Sequence, residues 1–358
     1  MTSWIDTHPG GQLPLLSVAG RDASEAFASF HAAWVRTKLS AFEVGTTAPP
    51  ASAAGAPCAD ADLRALRAQL EHEGLYRPTY GFYVGEAARL VALFALVLAC
   101  TASQHAPVRL AGAAALGLFW QQAAFVGHDA GHCGISGVRS VDSAIGLLCG
   151  NALTGIGIGW WQSTHNVHHV VPNCVEHDAD VQHLPFMAVS EAFLDGIFSR
   201  YHNDVMACTP GVLALLSHQH RYFFPILTVA RYGLLLQGIK TVGWEAHKRH
   251  TGFGAPRARL PRLVEALALA CFYAYAACLL ALLPTLAERL AFTYISGATF
   301  AVLHLQINLS HWSQRVLPGR PPGGWVDTQL AATLNWSCPP WMDWCVMTIF
   351  GCGLRSVC

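Results

Sequence analysis

A mainly α-helical protein embedded in a membrane is the fold class that this sequence predicts, and three observations predict it. Of 358 residues, 53% are apolar and only 12% are charged, against roughly a quarter charged in soluble domains. The apolar residues fall in long runs, Ala87–Ala102, Val108–Gly127, Leu263–Pro284 and Leu290–Ile307, near the roughly 17 to 25 residues that cross a bilayer as a helix. Eighteen histidines gather at the ends of such runs, where an ionisable group is costly and marks function.

Residues 1–44 are polar and mixed. His8-Pro-Gly-Gly11 is a turn signal, and Asp22–His31 has the spacing of a short amphipathic helix. Small residues and prolines make 45–60 a linker. Over Ala61–Gly74, Leu63, Leu66 and Leu70 share one helical face while Arg64, Arg67 and Glu71 face water, as in a helix lying along a membrane surface. The first apolar run lies behind charged segments, far from the N-terminus, so it is no cleaved signal peptide.

Four spans follow from the four runs. Ala144–Trp161 is apolar but glycine-rich, which suits a re-entrant or interfacial segment, and Tyr222–Ile239 is interrupted by Arg231. The loop carrying Lys240, Lys248, Arg249, Arg257, Arg259 and Arg262 is the most basic in the chain, and the positive-inside rule places it in the cytosol. With a cytosolic N-terminus, four spans bring every histidine cluster to the cytosolic face.

Lysine plus arginine balance aspartate plus glutamate at 22 each, which gives no electrostatic case for nucleic acid. The twelve cysteines form no CxxC pair, so neither a zinc knuckle nor a secreted disulfide scaffold is indicated.

The chemistry lies in the histidines. His128-Asp-Ala-Gly-His132 sets two imidazoles on one helical face, and His165-Asn-Val-His168-His169 adds three more at helical spacing. Imidazole suits iron. Tetrahedral zinc needs fewer ligands than this, and HExxH is absent. His183, His304 and His311 are further ligands or orienting groups, while Asp178 and Asp180 read equally as loop acids. His72, His105, His218 and His220 read as isolated interfacial histidines.

The chain resembles the front-end membrane desaturases that carry a fused cytochrome b5 domain, most of all the plant and algal sphingolipid long-chain-base Δ8 desaturases. The residues behind the likeness are HPGGQLPLLSVAGRDASEAFASFH, GHDAGH, GNALTGIGIGWWQSTHNVHH, DADVQHLPFMAVS and WMDW at Trp341–Trp344. The resemblance implies a four-span desaturase-like membrane domain over 61–344, behind a partial cytochrome b5-like haem domain over 1–44. His8 and His31 are then the axial ligands of haem b. His128, His132, His165, His168 and His169 are catalytic and hold two non-haem irons, with His311 and His304 as further metal ligands.

The implied reaction is oxygen-dependent desaturation of a sphingoid base or acyl lipid in the endoplasmic reticulum, with cytochrome b5 reductase as electron donor. A lipid hydroxylase on the same scaffold and an inactive shortened or splice-variant homologue are the alternatives. Two departures bear on this. The strand and turn that open a cytochrome b5 domain are missing before Ser3–Thr7. The family's third cluster, Gln-x-x-His-His, is missing from the divergent tail 345–358, and no histidine follows His311. The expectation is an incomplete iron site and no desaturation by the chain as written, with haem uptake conditional on the shortened domain folding.

Overall fold

The computed structural model describes residues 5, 8, 10–46, 59–77, 79–243, 262–319 and 323–334. The WMDW segment, the tail 345–358, most of the linker, most of the basic loop and all but Ile5 of Ser3–Thr7 lie outside these residues.

The chain opens with two short helices, α1 (Leu13–Ser17) and α2 (Ser24–Phe30). Asp22, just ahead of α2, accepts the Ser24 backbone N–H at 2.9 Å. The amphipathic surface helix expected at Ala61–Gly74 is α3 (Ala59–His72).

A long hairpin follows, α4 (Tyr80–Thr101) and α5 (Ala106–Gly131). Next come α6 (Arg139–Gly146), a π-helical stretch over Leu147–Thr154, and α7 (Ile158–Val170). Two small strands, β1 (Ile197–Ser199) and β2 (Asp204–Met206), pair antiparallel with Ile197 opposite Met206. Then α8 (Gln219–Gly243) leads toward a second hairpin, α9 (Arg262–Ala281) and α10 (Leu286–Phe300), which continues as α11 (Val302–His311). The last described helix is α12 (Trp325–Ala332).

Five helical segments are long and apolar enough to cross a bilayer: α4, α5, α8, α9 and the combined α10–α11 stretch Leu286–His311. A sixth arises only if the pair Arg139–Thr154 and Ile158–Val170 counts as one span, and that pair is bent by 111°. The four apolar runs of the sequence correspond to four of these helices. The difference is α8, whose apolar run Arg231 interrupts. The fold keeps that helix intact by burying the guanidinium against Trp120 at 3.8 Å and Phe300 at 4.4 Å, with Nη2 donating to the Thr154 carbonyl at 2.7 Å.

The bundle packs through small residues, as membrane helices do where no water drives association. A Cβ on Gly117 of α5 would run into the backbone of α10 at Ser296, and one on Gly112 would meet Cys100 Cβ of α4 at 2.8 Å. Arg109 at the start of α5 pairs with Glu288 at the start of α10 at 2.7 Å. That ion pair brings the turns of both hairpins to one end of the bundle, and the far ends of α5 and α11, which carry His128 and His311, share the other.

The N-terminal module docks at this histidine end. Leu13 packs with Val167, Val170 and Tyr201, and Ala26 with Trp325 and Val326. Glu25 is paired with Arg64 at 2.8 Å and Arg67 at 3.1 Å of α3.

Candidate metal centre

Three helices deliver the histidines. The last turn of α5 carries His128, with His132 as its cap residue, and their rings are 4.6 Å apart. Gly155, at φ +74° with Phe272 side-chain atoms 2.6 Å from where a Cβ would sit, allows the chain to reverse sharply after the π-helical stretch. That reversal aims α7 so that His165, His168 and His169 meet His128, His132 and His311.

Nε2 atoms converge. His165 Nε2 is 3.3 Å from His128 Nε2 and 2.8 Å from His169 Nε2, and His168 Nε2 is 3.2 Å from His311 Nε2. Two groups of donors lie within 4.8 Å of one another, His128 with His132, His165 and His169, and His165 with His168 and Asp180.

The Nδ1 partners fix the tautomers. His168 Nδ1 donates to Asp178 Oδ2 at 2.8 Å, His165 Nδ1 to Asp180 Oδ2 at 3.2 Å, His128 Nδ1 to Asp129 Oδ1 at 3.3 Å, and His311 Nδ1 to the Ala332 carbonyl at 3.2 Å. With the proton on Nδ1, each Nε2 presents a lone pair. Lone pairs facing each other at 3.2–3.3 Å repel unless a cation lies between them. Two imidazole nitrogens bound about 2.1 Å from one metal at right angles stand about 3 Å apart, so these pairs fit metal ligation. His132 Nε2 is buried with no hydrogen-bond partner among the described residues, which fits the same role. Oriented imidazoles with carboxylates behind them are the usual architecture of a histidine metal site.

Several groups in this support have no motif-level signal. Asn173, fully buried with φ +57°, gives its backbone N–H to Asp178 Oδ2 at 2.7 Å, and its amide Nδ2 lies within reach of the His311, Arg315 and Ala332 carbonyls. Tyr83 of α4 donates to Asp129 at 3.0 Å, and Gln329 of α12 to the His169 carbonyl at 3.0 Å. Burial would raise the Asp178 carboxyl, but His168 and the N–H groups of Asp180 and Asn173 outweigh it and hold it below the usual range. Burial pushes Asp180 up to about 6, with His168 opposing and Asp178 reinforcing the rise.

His183 lies beside the centre, its Nε2 at 2.8 Å from the Asp180 carbonyl and its ring against Trp312. His304, expected as a further ligand, lies outside both donor groups. Its ring is edge-on to Phe300, and its Nε2 is buried with no partner among the described residues.

His8 and His31 come together at a second site, with ring centroids 6.1 Å apart. The Nδ1 of His8 donates to the Gly11 carbonyl at 2.7 Å and that of His31 to the Phe27 carbonyl at 3.0 Å. Each Nε2 is therefore the lone-pair nitrogen. Two imidazoles bound to one metal from opposite sides at about 2 Å place their centroids about 6 Å apart, so the pair fits bis-histidine haem ligation. Burial lowers the His31 pKa and keeps it the neutral ligand form.

Residues 104–351 match the family model described as fatty acid desaturase. The chain belongs to that family. Residues 1–48 match the cytochrome b5-like haem/steroid binding domain. Among curated relatives, the Delta(8)-fatty-acid desaturase 2 of Arabidopsis thaliana is 33% identical over 349 residues, 96% of this chain and 74% of that protein. The Acyl-lipid (9-3)-desaturase of Borago officinalis is 31% identical, again over 96% of this chain and 74% of the relative. The Delta 8-(E)-sphingolipid desaturase of Komagataella phaffii is 33% identical over 78% of this chain and 50% of its own length. No solved structure matches the chain. As a desaturase of this fused type, the chain has as its reaction the oxygen-dependent desaturation of a lipid chain at its histidine clusters, with electrons relayed through the cytochrome b5 module.

Proposed function

We propose that the lipid is the long-chain base of a sphingolipid, and that six histidines of this chain hold the two irons. The observation that carries the ligand assignment is the convergence of Nε2 atoms from α5, α7 and α11, with His128, His165, His168 and His311 each held by an Nδ1 partner. His128, His132, His165 and His169 form one donor set; for the other we pair His168, which is grouped with Asp180, with His311, whose Nε2 lies 3.2 Å from its own. The substrate class is supported by relatives named as sphingolipid desaturases.

When bound, iron supplies the oxygen activation that an unactivated C–H bond requires and that no side-chain acid or base can provide. The balance is two hydrogens from adjacent methylenes, two electrons, two protons and one dioxygen, giving one double bond and two waters. The chain's own part is to orient the imidazoles through Asp129, Asp178 and Asp180 and to cover the centre. Covering falls to α12 and α2: the Trp325 indole donates to the Val170 carbonyl at 2.9 Å, and Phe30 lies edge-on to His169. His8 and His31 would hold the haem, which would relay electrons supplied by a cytochrome b5 reductase.

Four crossings support this arrangement. The Arg109–Glu288 pair holds both hairpin turns at one end, while His128, His168 and His311 meet at the other. Between α5 and α9 the chain then leaves and returns at the histidine end, so α8 cannot cross alone. The bent α6–α7 segment, with His165 against His128, is re-entrant. The basic residues from Lys240 to Arg262 support a cytosolic histidine end by the positive-inside rule, facing out from the endoplasmic reticulum.

The test is to express the chain in a host that supplies sphingoid bases, measure iron per protein, and analyse long-chain bases and acyl chains separately. The missing Gln-x-x-His-His cluster predicts an incomplete iron site and an inactive chain, whereas the converging imidazoles support the opposite outcome, a new double bond in the long-chain bases with two irons per chain. A product confined to acyl chains refutes the substrate class, a hydroxylated base refutes the reaction type, and iron retained after His168→Ala refutes the ligand set.

A further inference from the structure

The last residue of α2 is Phe30 and the next is His31. These neighbours face opposite ways. His31 turns toward His8, at 6.1 Å between ring centroids, and stacks on Phe27 at 4.1 Å with the planes 11° apart. Phe30 turns toward the metal centre, with its ring 6.5 Å from that of His169 and 6.3 Å from that of Trp325, both near edge-on. One covalent link therefore separates a residue of the haem site from an aromatic ring lying against the iron site.

The contact is held from several sides. Glu25, in the first turn of α2, is clamped by Arg64 and Arg67, and the Arg67 Nη2 also donates to Ser29 at 3.0 Å. Arg21 donates to the Gly323 carbonyl at 2.6 Å, just before α12. Trp325 is anchored by its indole on the Val170 carbonyl, next to His169. The two sites are thus docked within one chain.

We infer that Phe30 is the electron bridge of this protein: electrons pass from the haem held by His8 and His31 to the iron held at His169 through the Phe30 ring, within one chain and without undocking of the N-terminal module. The inference rests on the haem and iron assignments proposed above. Each passage moves one electron, so that one ferrous haem becomes ferric as one ferric non-haem iron becomes ferrous; two passages meet the demand of one desaturation. Electron tunnelling falls off steeply with distance, so an aromatic ring joined to His31 by one peptide link and lying beside His169 shortens the through-space step. Trp325 positions that ring. Phe30 is 39% exposed, so its replacement leaves the packing of the cap largely in place.

The test uses the full chain loaded anaerobically with haem and ferric iron, without lipid or oxygen. A one-electron reductant converts the haem in a flash, and the return of its ferric absorbance reports transfer to iron. In Phe30→Leu the return should be several-fold slower, with haem spectrum, haem potential and iron content unchanged; Phe30→Tyr should restore it. An unchanged rate in Phe30→Leu with both sites loaded overturns the bridge alone. A parent chain that takes up no haem overturns the haem assignment, and the bridge with it.

Discussion

The six-histidine centre draws its side chains from three helices, α5, α7 and α11, whereas His8 and His31 come from a turn and a helix end within the first 31 residues. Both sites use the same chemical device, an imidazole whose Nδ1 is held so that Nε2 keeps its lone pair. They differ in who holds it. At the proposed iron site the holders are mostly carboxylates, and one of them, Asp178, is itself fixed by the backbone N–H groups of Asn173 and Asp180. At the haem site the holders are carbonyls three and four residues away in the same local segment. The iron site is thus a product of tertiary structure, and the haem pair is local geometry completed by docking.

Substitutions that separate the two sites test this contrast. The largest effect is expected for His168→Ala, which should remove iron and desaturation together while the haem absorbance stays; metal analysis beside an optical spectrum reads both. His31→Ala should do the reverse. Low-spin b-type absorbance disappears from the full chain while iron per protein is unchanged, and a spectrum indifferent to the substitution would remove His31 from the ligand pair. Asp178→Asn is smaller, because the imidazole remains and only its orientation and basicity suffer. Metal affinity should fall roughly 10- to 100-fold, measured by competition with a chelator, and no change would show that the carboxylate is an ordinary loop acid. The smallest effect is that of Glu25→Gln. It weakens a clamp whose partners Arg64 and Arg67 are about half and one-seventh exposed, so a loss of up to about 1 kcal/mol is expected. Thermal unfolding of the haem-loaded chain would read it, and a loss many times larger would mean that docking of the N-terminal module depends on this pair.

Much of the site was legible because helices repeat. His128 and His132, and His165, His168 and His169, stand at helical spacing, so their convergence on one face follows from 3.6 residues per turn. The four apolar runs likewise mark their helices by composition alone. What spacing cannot convey is which separate faces meet. His311 meets His168 from 143 residues away, whereas the buried Nε2 of His304, seven residues earlier in the chain, has no partner among the described residues; nothing in their sequence context separates the two. Asn173 and Phe30 carry no motif, and their roles exist only through contacts with segments distant in sequence.

Helix α8 makes the same point for the membrane domain. By length and composition it passes for a span, although Arg231 interrupts its apolar run Tyr222–Ile239. The Arg109–Glu288 pair and the meeting of His128, His168 and His311 are what tie the hairpin turns to one end and the histidines to the other. Local periodicity was enough for the helices, their apolar faces and the grouping of imidazoles, since those depend on neighbours within a turn or two. The ends of the bundle, the carboxylates behind the imidazoles and the contact between the two redox sites depend on pairings across more than a hundred residues, and only packing in three dimensions selects among those.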